Sequence, residues 1–269
     1  MLTRTRGSVS NVSPFNVRLR FQGDLDFFLK DRSATLITRQ LKEKTSIKDV
    51  IESCGIPHPE VDLILVDQRP VEFGYVLGKE SEVEVYPVNW QRETFFTKNR
   101  LQTITDKEFI ADVHLGKLVR NLRLLGVDVA YDAVLEDREL LELARRGGRA
   151  LLTRDRRLLM HAVVRHGYYL RSQDPTEQTL EVLRRFQLSS VLTPFIRCLR
   201  CNHLLEAVAK DEIIDQLEPL TKIYYDRFCR CPSCGQVYWP GSHFRKLEAH
   251  VANLKQKLIF GLCNPPKSA

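Results

Sequence analysis

The sequence predicts an α/β protein in which a parallel sheet with flanking helices is preceded by a β-rich domain and followed by a cysteine-containing module. Three observations predict this order. Short apolar strands alternate with helices after residue 108, strands surround a single helix before residue 90, and two Cys-x₂-Cys motifs follow residue 197. With 269 residues, the chain is long enough for two domains that each bury a core.

The N-terminal part alternates apolar and polar residues in strand fashion and contains one Ser-capped helix. This order resembles the ubiquitin-like β-grasp fold of small sulfur-carrier proteins. Working carriers of that kind end in a free Gly-Gly, whereas this segment continues through Trp90 into more chain. We therefore expect residues 14–90 to form a binding or positioning domain. The predicted strands are FNVRLRF (15–21), VDLILV (61–66) and EVEVYPV (82–88), and the predicted helix is SIKDVIESCG (46–55).

From Phe109 onward, strands and helices alternate, which predicts a parallel, three-layered α/β domain. A stripe of Leu and Val marks the first helix, which should end at Gly126. The predicted strands are 108–112, 127–132, 149–153 and 168–172, and the predicted helices are 115–125, 137–146, 156–166 and 175–186.

Aspartates stand where two of the predicted parallel strands give way to helices. Asp112 follows the first strand and Asp155 the third, and ligands bind beyond the carboxyl ends of the strands in open parallel sheets. Asp137 opens an intervening helix near the same edge, with Asp132 and Glu136 as substitutes for it. Helix caps are commoner than metal ligands, so Asp137 also suits an N-cap. If three carboxylates meet, they would hold Mg²⁺ or Mn²⁺, which would activate a water and neutralise charge on a phosphodiester.

Basic residues near these acids predict contacts with a phosphate backbone. The net charge is +7, and residues 91–269 carry 29 Lys and Arg against 21 Asp and Glu. A solvated helix face is the ordinary explanation of such charges, but their proximity to the acids favours RNA as a partner. The candidates for phosphate contact are Lys117, Arg120, Arg123, Arg154, Arg156 and Arg157.

Two Cys-x₂-Cys motifs, separated by 29 residues, predict a zinc ribbon. Four thiolates close a tetrahedral site and leave no open position for catalysis, so the zinc should be structural. Cys229 could replace Cys231 only through an awkward Cys-x₄-Cys loop, and we leave it outside the site. Ser242 should cap a helix that follows the ribbon. The predicted ligands are Cys198, Cys201, Cys231 and Cys234.

The composition excludes several protein classes. Apolar residues make up 43% of the chain and charged residues 28%, and no apolar run approaches the length of a membrane span. The N-terminus lacks the apolar core of a signal peptide. Five of the seven cysteines crowd into residues 198–234, which suits a metal site in a reducing compartment. We therefore expect a cytoplasmic protein without a membrane partner.

Several of these segments together resemble the Mut-seven C-terminal family: FIADVHLGKLVRNLRLLGVD (109–128), LLTRDRRLL (151–159), the two cysteine motifs and CPSCGQVYWPGSH (231–243). That family is regarded as a PIN-like ribonuclease fold with an appended zinc ribbon, and some bacterial members carry a ubiquitin-like domain in front. The expected boundaries are 1–13 for a flexible leader, 14–90 for the ubiquitin-like domain, 91–107 for a linker, 108–190 for the PIN-like domain, 191–262 for the zinc ribbon with its C-terminal helix, and 263–269 for a tail.

The resemblance implies that Asp112, Asp137 and Asp155 hold Mg²⁺ or Mn²⁺, which promotes Asp137 from cap to ligand. Asp174 is implied as a fourth catalytic candidate, although its place ahead of a proline also suits an N-cap. Cys229 departs from the family, in which we expect an aromatic residue at that position. The four motif cysteines therefore remain the predicted zinc ligands.

Two functional hypotheses follow. The first is a metal-dependent ribonuclease, because three acids fall on one sheet edge of a basic domain. The second is a non-catalytic RNA-binding or adaptor protein whose acids are helix caps and whose ubiquitin-like domain binds a protein partner. The missing Gly-Gly is compatible with this adaptor role. A sulfur-carrier accessory role rests on the β-grasp pattern alone.

Overall fold

The chain divides after Gln102 into two units, residues 1–102 and 103–269. The computed structural model describes residues 13–34, 36–88, 98–102 and 108–263, with side chains as far as residue 259. Almost all of the predicted leader, most of the predicted linker and most of the predicted tail lie outside the described residues.

The first unit is built on a mixed five-stranded sheet in the order β2-β1-β7-β4-β5, in which β1 and β7 are parallel and the other neighbours antiparallel. The Ser46 hydroxyl caps α1 by accepting a hydrogen bond from the Asp49 N–H at 3.1 Å, which confirms the predicted Ser cap. A short second sheet pairs β3 with β6. The elements are β1 (Phe15–Phe21), β2 (Ile37–Leu41), β3 (Thr45–Ser46), α1 (Ile47–Ser53), β4 (Val61–Val66), β5 (Arg69–Val71), β6 (Val76–Leu77) and β7 (Ser81–Pro87).

Residues 98–102, which the sequence assigned to the linker, pack on this first unit. The Leu101 N–H donates to the Asp62 carbonyl at 2.8 Å, and the Gln102 N–H donates to the Asp62 carboxylate at 2.9 Å. Arg100 forms an ion pair with the same carboxylate at 2.8 Å. Asp62 is buried, and a buried carboxylate needs such partners, so residues 98–102 belong to this unit rather than to a linker.

The second unit contains a four-stranded sheet in the order β11-β10-β8-β9, and every pair of neighbours is parallel, as predicted. Helices α2 and α5 pack on one face, and α3 and α4 pack on the other. Helix α2 ends at Leu124 and is followed by Gly126 at a φ of +89°, where a Cβ would lie 2.1 Å from the Thr193 carbonyl oxygen. The elements are β8 (Glu108–Ala111), α2 (Gly116–Leu124), β9 (Asp128–Ala130), α3 (Asp137–Gly147), β10 (Ala150–Thr153), α4 (Arg156–Leu159), β11 (Gly167–Tyr169) and α5 (Pro175–Arg185).

Helix α4 is much shorter than the predicted 156–166 helix. Leu159 and Val164 are both buried in the same apolar cluster. In a continuous helix, residues five apart point about 140° away from each other, so Val164 would have left the buried face. The chain therefore turns after Leu159, and this turn buries Val164.

The C-terminal part forms a three-stranded antiparallel sheet, whose loops contain the motif cysteines, and then one long helix. We call this sheet with its loops, residues 198–238, the ribbon. The sequence grouped this helix, α8, with the ribbon and made Ser242 its cap. In the structure Ser242 is already its first residue, and Val251, Leu254 and Leu258 are buried in the cluster formed by α2 and α5. The elements are β12 (Glu206–Val208), α6 (Lys210–Ile213), α7 (Pro219–Tyr224), β13 (Phe228–Arg230), β14 (Val237–Tyr238) and α8 (Ser242–Cys263).

Within the described ranges, no helix has both the length and the apolar character that crossing a membrane requires.

The burial of α8 predicts that this helix stabilises the parallel-sheet core. Leu254 is 0% exposed, so Leu254→Ala should lower the free energy of unfolding by about 2–5 kcal/mol through lost burial and a cavity. Ile259 lies on the same helix but is 62% exposed, so Ile259→Ala should change the free energy of unfolding by less than about 0.5 kcal/mol. Urea unfolding followed by circular dichroism measures both variants. Equal effects would show that α8 is not part of the core.

Candidate functional site

Asp112 lies at the carboxyl end of β8, directly after three buried apolar residues. Its side chain is itself almost buried, at 9% exposure. The Thr153 hydroxyl, at the end of the neighbouring strand β10, donates to Asp112 Oδ2 at 2.7 Å. Among the described residues, this hydroxyl is the only hydrogen-bond partner of the carboxylate, and no cation pairs with it. A buried carboxylate without a counter-ion favours a bound cation.

Thr153 also positions Asp155. The Thr153 oxygen accepts a hydrogen bond from the Asp155 N–H at 2.9 Å, so one hydroxyl joins the two strand-end acids. Asp155 caps α4, because its Oδ1 accepts from the Arg157 N–H at 2.7 Å and from the Leu158 N–H at 3.4 Å. Within the described chain, its Oδ2 has no hydrogen-bond partner. Asp155 can thus cap a helix with one oxygen and present the other to a ligand.

Asp112, Asp137 and Asp155 all line one cleft of about 940 Å³ at this edge of the sheet. Asp137 is the first residue of α3, whose N-cap is Glu136 in a capping box with Glu139, so the predicted cap role of Asp137 is wrong. The substitutes Asp132 and Glu136 do not line the cleft. The three carboxylates share the cleft without forming a closed cluster, since the described residues hold no group of three acids with oxygens within 4.8 Å of one another.

This donor set fits a hard divalent cation that keeps part of its water shell. Mg²⁺ is usually bound through one or two carboxylates and several waters, and it prefers oxygen ligands. The buried Asp112 and the second oxygen of Asp155 could serve as such ligands, together with the exposed Asp137.

Asp174 has a different role from the one implied by the resemblance. Its Oδ1 accepts from the N–H groups of Thr176 and Glu177, each at 2.9 Å, and so caps α5. Its neighbours Gln173 and Pro175 line the cleft, but Asp174 is not among the lining residues. The structure therefore supports a helix-cap role for Asp174 rather than a catalytic one.

The four motif cysteines meet at one point, as predicted. Their sulfur atoms all lie within 4.8 Å of one another, with Cys198 and Cys234 at 3.6 Å and Cys201 and Cys231 at 3.3 Å. A tetrahedral zinc with four thiolate ligands would hold the sulfurs about 3.8 Å apart. Cys229 lies on β13 outside this group. The chemistry and spacing of the donor set fit zinc.

The thiols of this cluster differ in pKa, which is lowered for Cys201 and raised for Cys231. Burial raises the pKa of Cys201, but hydrogen bonds from the His203 backbone and from the neighbouring thiols outweigh it and lower the pKa to about 6. Burial raises the pKa of Cys231 to about 12. Because thiolates are the form that binds metal, a cation must displace the proton that Cys231 holds, whereas the lowered pKa of Cys201 favours its thiolate.

The comparison with known families decides what this arrangement belongs to. A family model described as "Mut7-C RNAse domain" matches residues 107–251, more than half of the chain, and includes both the cleft acids and the cysteines. The chain belongs to the Mut7-C RNAse domain family. A second model, described as "Mut7-C ubiquitin", matches residues 15–93 and confirms the ubiquitin-like resemblance of the first unit. No curated protein matches the chain.

Within the Mut7-C RNAse domain, the predicted phosphate contacts fall into separate places. Lys117, Arg154 and Arg156 line the acid cleft. The guanidinium of Arg156 lies 5.7 Å from the centre of the Tyr169 ring. Arg157 is exposed beside the cleft without lining it, and Arg120 lines a different recess.

Arg123 is buried, and its predicted role in binding phosphate is wrong. It is only 3% exposed, and its guanidinium donates to the Val129 carbonyl at 2.8 and 3.1 Å. It also donates to the carbonyls of Leu199 at 3.2 Å and Arg200 at 2.9 Å. A spacing of three residues drifts by about 60° per step around a helix of 3.6 residues per turn, so Arg123 lies on a different face from Lys117.

Two residues at this edge of the sheet were missed from the sequence, one behind the acids and one in the lining of the cleft. Thr153 stands directly before the Arg154-Asp155 pair, and its position as the last strand residue was the available signal. His114 lines the cleft from the turn after Asp112. Neither residue type is specific enough to be recognised in a single sequence without the fold.

The cysteine geometry predicts which thiols retain the metal. Cys234→Ser should remove a ligand and release zinc, because the closed tetrahedron needs four thiolates. Cys229→Ser is the matched control, since this neighbouring cysteine lies outside the cluster, and it should keep one zinc per chain. Metal analysis of the purified variants measures both. Zinc retained in Cys234→Ser, or lost in Cys229→Ser, would contradict the assignment.

Proposed function

We propose that this protein is a metal-dependent ribonuclease that hydrolyses RNA phosphodiesters in the acid cleft. The observation that carries the proposal is the link from Asp112 through the Thr153 hydroxyl to Asp155, at the carboxyl edge of a parallel sheet in a Mut7-C RNAse domain. The family gives the nuclease-like function, and the cleft provides the acids.

Asp112, Asp137 and Asp155 would hold Mg²⁺ or Mn²⁺. When bound, such a cation supplies Lewis-acid activation of water and neutralises charge that develops on the phosphate. Thr153 keeps the Asp112 carboxylate in place and fixes the start of α4, so that both acids face the cleft in one arrangement.

The basic rim binds the RNA backbone. Lys117 and Arg154 are exposed on the cleft wall, and the planar guanidinium of an arginine can hold two phosphate oxygens at once. Such contacts position the strand and carry no base specificity. The scissile phosphate would thus lie between the rim cations and the strand-end acids.

The ribbon site holds a structural zinc in this proposal, because four thiolates leave no open coordination position. We propose that the ubiquitin-like domain binds a protein partner. The reduced cysteine cluster suits a cytoplasmic protein.

A second candidate function is a non-catalytic RNA-binding adaptor. The observation that favours it is the capping role of Asp155, which by itself explains an aspartate at this position. The two functions differ in what happens when only the charge of Asp155 is removed.

Asp155→Asn keeps an oxygen that can cap α4 but removes a negative charge that a divalent cation needs. We expect single-turnover cleavage of RNA in Mn²⁺ to fall by roughly two orders of magnitude, equivalent to about 3 kcal/mol of transition-state stabilisation. RNA affinity should hold or rise, because repulsion between acid and phosphate is relieved, and the melting temperature should change little.

Asp174→Asn is the matched comparison, because Asp174 makes the same kind of cap outside the cleft and this variant should cut RNA like the wild type. In the metal-free control, Mg²⁺ and Mn²⁺ are left out of the buffer. A chelator is not used, because it would also remove the metal bound by the cysteines. If Asp155→Asn lowers stability, affinity and cleavage in proportion, the residue is only a cap. If the wild type binds RNA but cuts none in Mg²⁺ or Mn²⁺, the adaptor function is correct.

A further inference from the structure

A second recess, of about 1090 Å³, lies within the Mut7-C RNAse domain where the ribbon meets α2 and the start of α8. It contains none of the acids of the first cleft, and the proposed hydrolysis makes no use of it. Its walls are mainly apolar and rich in aromatic rings, which include Phe195, Tyr225, Tyr238, Trp239 and Phe244.

The Trp239 ring is held in place and partly open. It packs beside the buried Phe228, with ring centres 6.5 Å apart, yet it remains 38% exposed. The Pro240-Gly241 turn passes close to it, and a Cβ on Gly241 would lie 2.8 Å from the indole nitrogen. Two further rings of the lining, Phe195 and Phe244, pack against each other with their centres 4.7 Å apart. A fixed, exposed indole is suited to stacking against a flat ligand.

The same recess carries positive charge that the described residues do not neutralise. Arg120 and Arg227 line it, are exposed, and have no ion pair or hydrogen bond with any described residue. The acid in its lining, Asp226, is paired with Lys210 at 2.8 Å. Arg197 is held by the Gly126 and Asn202 carbonyls. Aromatic rings with free arginines recognise ligands that combine a flat ring with an anion, as nucleotides do.

Helix α2 connects the recess to the acid cleft. Lys117 lines the acid cleft and Arg120 lines the recess, and both are exposed. Residues three apart lie on neighbouring parts of a helix surface, about 4.5 Å apart along its axis. A strand whose phosphates contact Lys117 therefore continues to Arg120 without leaving the basic side of the helix.

We infer that the recess between the ribbon and α2 binds unpaired bases of single-stranded RNA beside the phosphate that is cut. A base stacks on Trp239, and the neighbouring phosphates contact Arg120 and Arg227. Bases in a duplex are already stacked and paired and cannot enter, so the recess selects single-stranded RNA. This inference deepens the proposed ribonuclease function and rests on it for the position of the cut.

Fluorescence of Trp239 tests base stacking directly. The chain has two tryptophans, so Trp90→Phe leaves Trp239 as the only indole. A single-stranded oligouridylate, added without Mg²⁺ or Mn²⁺, should quench its emission. The quenching should saturate at the same RNA concentration as the fluorescence anisotropy of labelled RNA. A duplex of equal length should not quench it. Single-stranded RNA that binds without quenching would overturn the inference and leave the recess to an apolar peptide.

Substitution provides the second test. Trp239→Leu should lower the affinity for single-stranded RNA by roughly 5- to 100-fold and leave the affinity for duplex RNA unchanged. Arg227→Gln should reduce the slope of affinity against salt by about 0.7, the value for one phosphate contact on a single strand. Equal weakening of both RNAs by Trp239→Leu, or wild-type affinity in both variants, would contradict the inference.

Two matched controls lie outside the recess. Tyr224 is 70% exposed on α7 and Arg245 is exposed on α8, so Tyr224→Leu and Arg245→Gln should bind RNA like the wild type. Zinc content identifies any variant whose ribbon has failed to fold, and the quenching experiment then decides alone.

The outcomes distinguish this inference from the ribonuclease proposal. RNA that quenches Trp239 but is never cut in Mn²⁺ would refute the ribonuclease proposal alone. RNA that is cut with no response to Trp239→Leu would refute the recess alone.

Discussion

The buried guanidinium of Arg123 is the interaction that the arrangement of the Mut7-C RNAse domain depends on. It joins α2 to the edge strand β9 through the Val129 carbonyl, and to the first cysteine loop through the carbonyls of Leu199 and Arg200. Only arginine offers five donors in a rigid fork, so no other side chain satisfies these carbonyls from one position. Burial lowers the pKa of this group, which the nearby thiolates and Asp128 partly offset. The ribbon is thereby fixed against the sheet.

This junction explains why α2 takes part in each functional region of the Mut7-C RNAse domain. Its apolar face fills the core, its first turn carries Lys117 to the acid cleft, and Arg120 reaches the recess beside the ribbon. Tyr238 extends the link, because its hydroxyl accepts from the Leu199 N–H at 3.0 Å and lies 3.2 Å from the Cys198 sulfur. The cysteine cluster thus supports a wall of the recess, so under our proposal a structural zinc would contribute to RNA binding through the geometry it maintains.

Much of this architecture could be predicted from the sequence, for identifiable reasons. Buried parallel strands such as β10 form continuous apolar runs, and closely spaced cysteines mark a metal site. The sequence could not show that Arg123 turns inward, because a charged residue on a helix is normally solvated and only the carbonyls around it reveal its role. Nor could it separate Asp155 from Asp174, since both cap a helix and only the folded sheet edge places one of them in the cleft.

The central claim is that the strand-end acids bind a divalent cation. Anomalous diffraction from a crystal soaked in Mn²⁺ tests it most directly, because manganese is located independently of RNA and of activity. We expect a peak in the acid cleft beside the carboxylates of Asp112 and Asp155, separate from the metal among the four cysteines. A crystal saturated with Mn²⁺ that shows no peak in this cleft, with Asp112 bonded only to Thr153, would contradict the account.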